Sequence, residues 1–67
     1  MEYVASVESL KEELELARAE EAEALRRAVR LRAIAASSAE VRDAMREVEA
    51  SRSRVARLQL ELRQLLH

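Results

Sequence analysis

The chain has 67 residues, 49% hydrophobic and 37% charged, with no glycine, proline, cysteine, phenylalanine or tryptophan and a formal net charge of −1. So short a chain normally needs disulfides, a metal or a partner chain to hold a core; the lack of cysteine excludes a disulfide framework and thiolate metal sites, and permits a reducing compartment. What remains is the Ala/Glu/Leu/Arg-rich profile of a long helix or coiled coil, because strands and turns have almost nothing to be made from.

Charge is arranged in blocks along the chain. Residues 1–24 hold eight glutamates against Lys11 and Arg18, for −6; residues 25–36 hold Arg26, Arg27, Arg30 and Arg32, for +4; the remainder sums to +1. No apolar run approaches the roughly 20 residues of a membrane span, and no signal-peptide pattern is visible. The expectation is therefore a cytoplasmic or equivalent soluble setting, with no membrane partner.

The opening, Met1 to Ser9, starts a helical pattern at Tyr3, Val4 and Val7, with Ser6 or Ser9 as the helix cap; Ser9 precedes Glu12 in capping-box spacing. From there Tyr3, Val7, Leu10, Leu14, Ala17, Ala24, Ala28, Leu31 and Ala35 follow alternating steps of three and four, interrupted only at Glu21. This first heptad stripe carries alanine in its middle. Alanine lets helix backbones approach but gives little apolar area, at about 25 cal/mol per Å², so this half predicts the weaker zipper.

The second half is organised by a column of aliphatic residues spaced by seven: Ile34, Val41, Val48, Val55 and Leu62. Its companion column is Ser37, Ala44, Ser51, Leu58 and Leu65, small at first and leucine at the end. The pair of columns is the 3.5-residue stripe by which two helices keep facing one another. The two halves do not share one frame, because the first stripe carried forward predicts Ala35, Arg42, Glu49 and Ala56. The phase slips by one residue between Leu31 and Val41, across AIAASSAE, where Ser37 and Glu40 offer another helix start in capping-box spacing.

Two all-α architectures follow for a single segment, 1–67, made of an acidic-then-basic Ala-rich half (1–35) and an aliphatic zipper half (36–67). The favoured expectation is one continuous helix of roughly 100 Å, at about 1.5 Å per residue, pairing with a second copy as a parallel two-stranded coiled coil. Ile/Val in one column with Leu in the other favours it; so does local propensity, since AASSA contains neither glycine nor asparagine to reverse the chain. The alternative is an antiparallel helical hairpin turning at 36–39, able to assemble into a bundle, for which the phase slip costs nothing. Folding there would level Glu12, Glu13, Glu20, Glu21 and Glu23 with Arg63, Arg57, Arg54 and Arg52, and Arg26, Arg27 and Arg30 with Glu49, Glu47 and Asp43. The seam of the dimer is expected at Val7, Leu10, Leu14, Leu31, Ile34, Val41, Ala44, Val48, Val55, Leu58, Leu62 and Leu65. Leu16, Leu25, Val29, Met45, Leu60 and Leu66 fall off the strict seam and broaden it enough to seat a third or fourth helix.

Catalysis is poorly served by these residues. The one histidine, His67, is terminal, no cysteine accompanies it, and Ser37, Ser38, Ser51 and Ser53 have no partner base. Without glycine there is no phosphate loop or oxyanion hole of the usual kind. The expectation is no enzyme, no cofactor and no metal. Arg26, Arg27, Arg30 and Arg32 ahead of the aliphatic ladder superficially resemble a basic leucine zipper, but such basic regions carry an asparagine that reads base edges, and this chain has none. An acidic block upstream would also repel phosphate, so no nucleic acid is expected.

At ELELARAEEAEALRRAVRLR and SRSRVARLQLELRQLL the chain resembles a stalk segment of a long coiled-coil protein, of the kind found in kinesin and myosin tails and ciliary-root proteins. The resemblance covers nearly the whole chain and implies dimerisation and partner docking, with no functional residue to carry across. The functional expectation is a structural segment that holds two copies together. The alternative is a binding module whose acidic face, Glu12, Glu13, Glu20, Glu21 and Glu23, docks a basic protein partner; the bland reading of the same residues is a solvated helix surface. A designed helical assembly with no cellular function is the third reading open to the sequence.

Overall fold

The computed structural model describes residues 2–67, with side chains from Ser6 onward, and contains two helices: α1, Glu2–Ala33, and α2, Ser38–Leu66. Long runs of Ala, Glu, Leu and Arg without glycine or proline keep the intrinsic cost of each helical residue low. Arg30 and Arg32 close α1 and Glu40 opens α2, each of the sign that the local end of the helix dipole favours. Tyr3, the first member of the N-terminal stripe, and its neighbour Val4 lie outside the described side chains; Ser6 and Ser9, expected as the helix cap, are inside α1, which already begins at Glu2.

Four residues reverse the chain. The Ile34 N–H donates to the Arg30 carbonyl at 3.0 Å, the last regular helical bond. The Ala35 N–H then donates to Arg32 at 3.2 Å and the Ala36 N–H to Leu31 at 3.0 Å, the pair of bonds that defines a Schellman cap. That cap needs a left-handed residue, and Ala35 supplies it with φ at 56°. An alanine there costs about 1–2 kcal/mol, because its Cβ crowds the following carbonyl oxygen. Ser37 starts the next helix from an extended conformation, φ −61° and ψ 154°, its hydroxyl accepting the Glu40 N–H at 3.2 Å and its carbonyl accepting the Val41 N–H at 3.1 Å. One arm of the capping box expected at Ser37 and Glu40 is therefore made.

The continuous helix is thus corrected to a hairpin, 51 Å long with cross-sectional extents of 14 and 12 Å measured on Cα atoms. Its turn, Ile34–Ser37, begins two residues before the segment expected for the alternative. Local propensity was the misleading guide: it counts fractions of a kcal/mol per residue, whereas α1 and α2 bury a shared apolar face along their length. Once the helices are separate, each keeps its own heptad phase, and the one-residue slip disappears into the turn.

The core lies wholly between the two helices, in two patches. Toward the open end Leu14, Ala17, Val55 and Leu58 are buried together, with Leu10 and Leu62 packed against them. Toward the turn the buried set is Ala24, Ala28, Ala44 and Val48, with Leu31 against it. Pairing Leu14 with Leu58, Ala17 with Val55, Ala24 with Val48 and Ala28 with Ala44 gives one antiparallel register throughout. None of the helices described is long and apolar enough to cross a membrane.

The cap analysis makes a paired prediction. Ser37→Ala removes the acceptor for the Glu40 N–H and lowers stability by about 1 kcal/mol, whereas Ser38→Ala, one residue inside the helix, changes it by less than about 0.5 kcal/mol. Urea unfolding followed by circular dichroism at low protein concentration separates the two; equal losses would place the cap elsewhere.

Candidate association surface

Most of the residues expected to form a dimer seam lie instead between the two helices of one chain. Val7, Leu14, Ala44, Val48, Val55 and Leu58 are buried, and Leu10, Leu31, Val41, Leu62 and Leu65 are half-buried. Ile34 is the exception: it sits in the turn and is 73% exposed, because the chain reverses at the point where the heptad count would return it to the seam. Three residues of the first stripe belong in the seam as well. Ala17, Ala24 and Ala28 are all buried, and Ala17 is fully enclosed, so α1 offers α2 a nearly flat surface onto which the valines fit.

Inside the helices each stripe has one polar break, Glu21 in α1 and Ser51 in α2, the other serine of the second stripe, Ser37, being the cap of α2. The hairpin register sets Glu21 and Ser51 level with each other, and both are half-buried. A small serine opposite glutamate leaves room for the longer side chain to leave the seam, where its carboxylate meets the Arg52 guanidinium at 3.6 Å. This polar rung separates the two apolar patches.

One flank of the seam is charged in register. Arg27 and Glu47 approach to 3.5 Å, and Arg54 donates to the Glu20 carboxylate at 3.0 Å. These contacts match the sign-matched blocks expected for a hairpin. One heptad nearer the open end, however, the same flank brings Glu13 level with Glu61, two exposed carboxylates with no ion-pair partner among the described residues. Of the five glutamates expected to form a docking strip, Glu20 and Glu21 are engaged across the hairpin and Glu23 pairs with Arg26 at 2.9 Å on its own helix. Glu12 and Glu13 stay exposed, with no ion-pair partner among the described residues, so the hairpin divides the strip instead of presenting it whole.

The opposite flank is apolar near the turn. There the register places Leu25 of α1 on the same side as Met45 of α2, 42% and 36% exposed, with Val29 one turn further along α1. Leu16 and Leu60 face outward elsewhere, and Leu66 lies with Arg63 and His67 at the open end, where His67 caps α2. Open grooves along the seam are shallow; the one lined by Leu16, Ala19 and Ala50 is edged by the Arg27–Glu47 pair. No group of three or more His, Cys, Asp or Glu among the described residues is placed to hold a metal ion.

No protein-family model matches the chain, and comparison with curated proteins and with solved structures likewise gives no match.

Two outcomes follow from this geometry. Glu61→Arg converts the like-charged rung opposite Glu13 into an ion pair and raises stability by about 0.2–1 kcal/mol, a gain that fades in roughly 1 M salt; no gain at low salt would show that these two positions are not level. Ala17→Leu forces volume into a contact that has none to give and costs about 1–3 kcal/mol, measurable as a lower urea midpoint, whereas the exposed Ala19 tolerates leucine.

Proposed function

We infer that the chain is a structural helix-association module that pairs with a second copy of itself and carries no catalytic chemistry of its own. The observation behind this reading is the balance between covered and uncovered apolar residues. Among the described residues five large apolar side chains are buried, Val7, Leu14, Val48, Val55 and Leu58, and five are half-buried, while seven are exposed, Leu16, Leu25, Val29, Ile34, Met45, Leu60 and Leu66. A two-helix unit whose other buried residues are all alanine encloses little apolar surface, and small units of this kind gain stability by assembly. Leu25 and Val29 line one open groove of α1, and the register sets Met45 of α2 on the same flank, so these three are less scattered than single exposed residues usually are. A place within a larger protein, holding copies of it together as the stalk resemblance implies, would suit such a module.

A second reading has its own support at the open end. Glu12 and Glu13, with Glu61 level with Glu13, form a small acidic site whose mutual repulsion a lysine- or arginine-rich protein segment would relieve. Glu20, Glu21 and Glu23 already have cationic partners and contribute less to it.

Association is tested by light scattering and by circular-dichroism melts over a concentration series. The expected result is a mass rising to that of a dimer, with a melting temperature that rises in step; a monomer mass with a concentration-independent melt would sink the reading. The acidic alternative is tested with an arginine-rich peptide: Glu12→Lys with Glu13→Lys should abolish its binding at unchanged helix content.

A further inference from the structure

We propose that the hairpin is the closed form of a domain-swapping unit: its turn opens, and two copies exchange α1 to make an antiparallel dimer of straight helices. This goes beyond self-association by naming how the second copy is engaged, and it rests on that reading. The turn is the first observation. Ile34–Ser37 holds Ala35 in a left-handed conformation, although every residue from Ala33 to Ala39 is one that a helix accommodates. Straightening the segment relieves Ala35 and replaces the cap bonds with ordinary helical ones, at the loss of the Ser37 cap. Short hinges under strain are where swapping begins.

The register is the second observation. Contacts between α1 and α2 are symmetric about the turn, so a straight chain laid antiparallel on a second copy remakes each of them between chains. Ala24 meets Val48 and Ala28 meets Ala44 as before, and Arg54 reaches Glu20 as before. Both patches and the Glu21–Arg52 rung are then present twice, once on each side of the crossing, and the crossing itself is the one place that has to be rebuilt, because the phase slip must be absorbed there.

The third observation is Ile34. It begins the seven-residue column that runs through Val41, Val48, Val55 and Leu62, yet the closed hairpin leaves it 73% exposed. In the open dimer it returns to the helix just ahead of that column, at the crossing where Ala35, Ala36, Ser37, Ser38 and Ala39 of the two chains pass each other. Side chains this small let two helix backbones approach while the one-residue phase slip is taken up. An aliphatic residue at the edge of a small-residue crossing has apolar surface to cover there and none to cover in the turn.

The test uses the full chain, which has no cysteine of its own. Spin labels are attached at Glu12→Cys and Leu60→Cys, two exposed positions that the hairpin sets level. Doubly labelled chain is diluted into excess unlabelled chain, so that only distances within one chain are read. Samples are unfolded and refolded at micromolar to millimolar concentration, which removes any slow barrier to exchange. The expected result is a short distance at low concentration, replaced in the dimer by one of roughly 70 Å, from 48 residues at about 1.5 Å each. Ala35→Gly, which favours the closed turn, should weaken dimerisation by roughly tenfold or more, and Ser37→Ala should strengthen it. A dimer that keeps the short distance overturns the exchange but leaves self-association standing, as docking of closed hairpins on the Leu25 and Met45 flank. A monomer at every concentration overturns both.

Discussion

The middle of the hairpin depends on one repeated contact, an alanine of α1 against a valine of α2. Ala17 against Val55 and Ala24 against Val48 show its logic. Alanine has no side-chain entropy to lose and little area to bury, so each such contact stabilises weakly by itself. Its value lies in the approach it allows: the β-branched residues of α2, already stiff about χ1, pack directly onto the α1 backbone. The usual preference of an Ile/Val and Leu stripe for a parallel partner describes two like stripes meeting. Here the ladder meets an alanine stripe of another phase, so that preference has no hold.

Direction is settled largely by what the parallel arrangement would force together. In a parallel pair Glu21 would meet its own copy inside the seam, and Arg27 would face Arg32. In the antiparallel hairpin Glu21 stands level with Ser51 and finds Arg52, and Arg27 finds Glu47. Exposed pairs are worth only about 0.2–1 kcal/mol each, so their attraction does not build the fold. Avoiding a carboxylate pair in the seam matters more, because desolvation raises the cost of like charges. The charge blocks thus act mainly by exclusion, making one direction and one register the least conflicted.

Much of this could be read from the sequence. The all-helical class, both apolar stripes, the alanine-rich character of the first and the helix start at Ser37 are properties of spacing and residue type, and spacing survives into the structure. The level pair Glu21 and Ser51 was half legible: Glu21 is the one interruption of its stripe, but the second column holds both Ser37 and Ser51, and only the folded register shows which of them stands opposite it. Ile34 was not legible, since a seven-residue count continues through a chain reversal as though the helix did. Nor was Ala35. The absence of glycine and asparagine argues against a turn, but a left-handed alanine is a finite cost that a shared apolar face can offset. The like-charged Glu13 and Glu61 became visible only once the Glu20–Arg54 rung fixed which residues stand level.

The phase slip carries more information than the turn residues do. A continuous helix must distort wherever its apolar frame jumps by one residue, and the distortion spreads into the packing on both sides. Two helices joined by a turn have independent frames, so a jump costs them nothing and nothing selects against it. In this chain the jump falls between Leu31 and Val41, and the break in the helix falls inside the same interval, at Ile34–Ser37. A frame discontinuity flanked by two intact stripes therefore points to reversal even where every intervening residue prefers a helix. Because those residues do prefer it, the reversal is held by the seam, and whatever weakens or shares the seam acts directly on the turn.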